Sequence, residues 1–78
     1  MQEICKVIAQ ILESFMEDVV FGEDRYDDDL TELGMDSILF IHVIVEIEER
    51  FETELPDEYL VFGELNTIRR MAEVVYQL

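Results

Sequence analysis

Tryptophan is absent, cysteine and proline occur once each, and five lysines and arginines stand against 20 aspartates and glutamates. With Cys5 alone, no internal disulfide can form, which points to a reducing compartment and a core held without a covalent staple. The formal charge of −15 repels nucleic acid and anionic lipid and attracts basic protein surfaces. One histidine and one cysteine are too few for a zinc site. An EF-hand loop started from Asp24 or Asp27 fails to place glycine at its sixth position. The longest apolar run, Ile38 to Val45, is broken by His42 and is too short to span a bilayer. The N-terminal "MQEICKVIAQ" lacks the basic start of a signal peptide. The expectation is a cytoplasmic monomer that binds neither nucleic acid nor membrane.

What is present is a chain of 78 residues, half of them apolar, read as one folded domain spanning 1–78. Ile4, Ile8, Ile11, Leu12 and Phe15 follow helical spacing and predict a helix from Gln2 to about Met16, with Cys5 as a buried thiol on the same stripe. From Glu17 to Asp36 the periodicity fades into an acidic connection, with Val20, Phe21, Leu30 and Leu33 as its apolar anchors. Ser37 to Phe51 is again a helix, with two apolar lines. Phe40, Val43, Ile44, Ile47 and Phe51 form one line, and Ile38, Ile41 and Val45 form the other. Pro56 is read as its stop, Asp57 as the cap of a short helix over about Glu58 to Phe62, and Gly63 as that helix's end. Asn66 or Thr67 caps a last helix with Ile68, Met71, Ala72 and Val75 inward. No strand is signalled. The expected fold is an all-α, four-helix bundle, three main helices plus a short third one.

The stretch "LGMDSI" raises the chemical question. Ser37 either caps its helix or is presented for reaction. As a nucleophile it lacks a base, because His42 lies five residues on and falls on a different helical face. A modified serine is a better reading. Gly34 permits a tight turn, the helix start offers free N–H groups and a positive dipole end, and an external transferase can supply the activating chemistry.

At these residues the chain resembles the acyl and peptidyl carrier proteins. Leu33, Gly34, Asp36 and Ser37 match their phosphopantetheine attachment motif, with Ile38 in place of the usual leucine, and "FETELPDE" and "FGELNTIRRMAEVV" resemble later family segments. The resemblance implies a non-catalytic four-helix carrier. A phosphopantetheinyl transferase would move the 4'-phosphopantetheine of coenzyme A onto Ser37, with Gly34 and Asp36 supporting the site. The arm's thiol would then carry a thioester between enzymes. Leu39, Ile41 and Val45 resemble the docking residues of carriers in nonribosomal peptide or polyketide assembly. The implied partners are an adenylation or acyl-loading enzyme, then condensation, ketosynthase, tailoring or acyltransferase enzymes. A fatty-acid-type acyl carrier or a D-alanyl carrier is the alternative within the family, and a small acidic adaptor the alternative outside it. The second apolar line sets the expected docking face at Met35, Ile38, Leu39, Ile41, His42 and Val45, with Tyr59, Leu60 and Val61 beside it.

Overall fold

Three amphipathic segments become three helices in the computed structural model, which describes residues 1–77. Helix α1 (Gln2–Phe15) buries Cys5, Ile8, Ala9, Ile11 and Leu12, and Lys6 and Gln10 face water. Its end folds back on itself. The Met16 N–H donates to the Leu12 carbonyl at 2.8 Å, and the Glu13 carboxylate accepts from the Phe21 N–H at 2.8 Å, turning Phe21 inward. Burial pushes the Cys5 thiol above its usual pKa, as fits a small apolar core residue.

Helix α2 (Ser37–Arg50) buries Phe40, Val43, Ile44 and Ile47. Each fully enclosed side chain of this size contributes about 1.5–3 kcal/mol. The helix ends at Phe51, well before Pro56, which corrects the reading of proline as its stop. The terminator is Glu52 in a left-handed conformation, φ 52°. The Thr53 N–H reaches back to the Glu48 carbonyl at 3.0 Å and the Glu52 N–H to that of Glu49 at 3.4 Å. This is a Schellman closure that usually employs glycine.

Helix α3 (Ile68–Gln77) buries Ile68, Met71, Ala72 and Val75. Thr67 caps it, its hydroxyl accepting from the Arg70 N–H at 3.1 Å. Helix α1 packs against both α2 and α3. The acidic connection is tied to the start of α3 by two backbone bonds, Leu30 N–H to Asn66 carbonyl at 2.8 Å and Arg69 N–H to Tyr26 carbonyl at 3.0 Å. Arg69 Nε adds a charge-assisted bond to Asp27 at 2.7 Å. Val20, expected as an anchor, is instead 74% exposed, and Tyr26, flanked by acids in sequence, is buried.

The expected four-helix count is wrong: the bundle has three helices plus 3₁₀ turns. In place of a helix over 58–62 there is one 3₁₀ turn, Asp57–Tyr59, with Pro56 rather than Asp57 at its cap. Leu60 then leaves helical space at φ −88°, ψ 58°. The reason lies in the side chains. Leu60 and Phe62 pack against the core while Val61 between them is exposed, a two-residue alternation that a helix cannot present. Three residues are also too few to offset the cost of nucleating an α-helix. A second 3₁₀ turn, Glu23–Arg25, lies in the acidic connection. Among the described residues no helix is long and apolar enough to cross a membrane.

Candidate functional site

The approach to α2 is built by a chain of local bonds. Asp29 Oδ1 accepts from both the Thr31 N–H at 3.0 Å and the Thr31 hydroxyl at 2.6 Å, opening a turn. These bonds from Thr31 hold the Asp29 carboxyl below its ordinary pKa. Its support of the turn is therefore complete above the usual carboxylate range and is lost as pH falls through the lowered value. The sequence reading missed Asp29 and Thr31, although an aspartate two residues before a threonine is a recognisable turn signal. The turn closes with the Met35 N–H on the Leu30 carbonyl at 3.0 Å, and Gly34 passes through φ 110°. A Cβ there would meet nothing within 4 Å, so backbone conformation rather than space requires the glycine.

Beyond the turn Met35 drops into the core, 4% exposed, and cannot belong to an outer face as it stands. Asp36 is the cap of α2: its backbone is extended, and its carboxylate accepts from the Leu39 N–H at 2.8 Å. Capping is therefore not the duty of Ser37. Ser37 is the first helical residue and is exposed. The N–H groups of Ser37 and Ile38 lie ahead of the helical ladder, whose first bond is from Phe40 N–H to the Asp36 carbonyl at 2.9 Å. Such a position favours a negatively charged substituent on the hydroxyl.

Around this tip the second apolar line of α2 is open, with Ile38 at 66%, Ile41 at 58% and Val45 at 47% exposure. Leu39 is half-buried against the core. His42 is exposed, and its ring stands 6.4 Å from that of Phe15, centroid to centroid. On the other side a groove of about 400 Å³ runs from Ser37 past Ile41 and Val45, walled by Leu60 and Phe62. Phe62 is held by Phe40, ring centroids 5.5 Å apart. Of the other residues expected at the docking face, Tyr59 and Val61 are exposed but do not line this groove, and Leu60 is half-buried. Ser37, Ile38, Ile41 and Val45 thus share one surface. Among the described residues no three His, Cys, Asp or Glu side chains are grouped to hold a metal ion.

The chain is similar to carrier proteins over nearly its whole length. It is 38% identical over 74 residues to the D-alanyl carrier protein of Streptococcus sanguinis, an alignment covering 94% of this chain and 90% of that one. The D-alanyl carrier protein of Streptococcus gordonii matches to the same extent. The acyl carrier protein of Rickettsia bellii is 32% identical over 78 residues, covering 95% of this chain and 80% of that protein. No solved structure gives a significant match. The model of the phosphopantetheine attachment site family matches residues 2–75. This match and these relatives extend over most of the chain, which belongs to this family of non-catalytic, phosphopantetheine-bearing carriers.

Proposed function

We propose that Ser37 is the residue that bears the 4'-phosphopantetheine arm. The observation that carries this reading is the division of labour at the start of α2. Asp36 caps the helix through Leu39, and the neighbouring hydroxyl stays exposed at the positive end of the dipole. The Ser37 and Ile38 N–H groups precede the first bond of the helical ladder, and free donors at a positive dipole end favour a phosphodiester on the neighbouring hydroxyl. When bound, the arm supplies a flexible thiol that holds an acyl group as a thioester. Incubation with coenzyme A and a broad-specificity phosphopantetheinyl transferase, read by intact mass, should add one arm to the wild type and none to Ser37→Ala. An unchanged wild-type mass, or a loaded variant, would overturn the assignment.

For the cargo, the relatives support the alternative within the family better than nonribosomal peptide or polyketide assembly. D-alanyl carriers at 38% identity favour D-alanine, and the acyl carrier at 32% identity keeps an acyl group as the second reading. The holo protein offered D-alanine, ATP and a D-alanine-activating adenylation enzyme should gain one alanyl residue. Failure there with acylation by an acyl-loading enzyme would reverse the choice. The docking face for such enzymes is proposed as Ile38, Ile41 and Val45 with His42 and Leu39, and Met35 is left out because it is buried.

A further inference from the structure

The groove beside Ser37 ends on a carboxylate. Ser37, Ile41, Ile44 and Glu48 follow the four–three–four spacing of a single helical line, so they stand in file along α2. All four line the groove, and the rest of its lining is apolar. Ser37 and Glu48 are its two polar members, one at each end of the file.

Glu48 is half-buried, and its Oε2 accepts from the Leu55 N–H at 2.8 Å. That bond holds the side chain against the segment that follows α2 and fixes the carboxylate in place. Among the described residues the carboxylate joins no ion pair, although Arg50 lies two positions on. Arg50 turns to Glu46 instead, at 3.6 Å. The groove thus closes on a negative charge that the chain itself leaves without a cation.

The length of the file matches the length of the arm. At the rise of an α-helix, Ser37 and Glu48 stand about 17 Å apart along the axis. A phosphopantetheine has about fourteen bonds from the serine oxygen to its sulfur, roughly 17 Å at the extended rise per bond of a polypeptide. An arm laid along the groove therefore brings its sulfur level with Glu48. A neutral acyl group gains nothing from a carboxylate there. An aminoacyl group carries an α-ammonium just beyond the sulfur, and that charge is complementary.

We propose that Glu48 receives the α-ammonium of an aminoacyl cargo when the arm lies along this groove, and so distinguishes an aminoacyl from a neutral acyl load. The inference rests on the Ser37 reading and deepens the D-alanine reading by naming the side chain that senses the amino group.

The test places two arms of equal length on the full chain, using a broad-specificity phosphopantetheinyl transferase and the matching coenzyme A analogues. One arm ends in D-alanyl and the other in propionyl, each joined through an amide in place of the labile thioester. They differ only by an ammonium in place of one hydrogen. Intact mass confirms attachment. Backbone amide shifts, relative to the arm with a free thiol, are read by nuclear magnetic resonance at about pH 6.5, below the ordinary α-amino range. The D-alanyl arm should shift the Val45, Glu48 and Leu60 amides about two- to fivefold more than the propionyl arm, the range for a partly exposed ion pair. That excess should vanish in about 1 M sodium chloride. In Glu48→Gln, which keeps an oxygen for the Leu55 N–H, the two arms should shift the groove equally. Equal shifts by the two arms on the wild type, or an excess that survives in the variant, would overturn the proposal. The wild-type comparison decides even where circular dichroism shows the variant unfolded. Failure of both arms to attach would sink the Ser37 reading, and refusal of D-alanine by its activating enzyme would sink the cargo reading. Neither result resembles two attached arms that shift the groove alike.

Discussion

Helix α2 carries two rows of nearly the same residue types with opposite fates. Phe40, Val43, Ile44 and Ile47 are at most 4% exposed, whereas Ile38, Ile41 and Val45 range from 47% to 66%. Residue chemistry does not separate the rows. What separates them is cover: α1 and the Leu60–Phe62 segment close over the first, and among the described residues nothing closes over the second. The inner row holds the fold, and the outer row is surface available to another protein.

The comparison breaks most sharply under charge. Val43→Asp places an unpaired carboxylate in the core and should unfold the chain, a loss of several kcal/mol. Ile41→Asp should leave the thermal midpoint within the equivalent of about 0.5 kcal/mol while slowing transfer by partner enzymes. Equal destabilisation by both would show that the outer row is core.

The turn before α2 sets which row faces inward, so it comes next in size. Gly34→Ala forces a side chain to φ 110° and should cost about 1–2 kcal/mol in denaturant unfolding, with no cavity or clash to account for it. The cap is a finer probe. Asp36→Ala should cost about 1 kcal/mol, and Ser37→Ala only a few tenths, by the same measurement. The reverse order would return Ser37 to a capping role. At the other end of α2, Glu52→Gly should raise stability by about 0.5–1 kcal/mol, since glycine removes the left-handed penalty at this closure.

The three helices were legible because each has an apolar stripe long enough to give a period, with Asp36 and Thr67 as caps beside the second and third. The tip bearing Ser37 was legible from glycine, aspartate and serine together. The short third helix was misread because "YLVF" is too brief an apolar run to tell a helical face from alternation. Met35 was counted with the outer apolar line, whereas after the turn through Gly34 its side chain lies buried in the core. Tyr26 was hidden by its acidic neighbours. It is placed by a backbone bond to Arg69, which no local pattern announces.

The alternation at Leu60 and Phe62 has a mechanical consequence. One bank of the groove beside Ser37 is fastened by two side-chain pegs and not by a hydrogen-bonded rod. The distance of that bank from the serine is therefore set by how those two side chains fill their sites, between the buried Leu55 and Leu65 on either side in sequence.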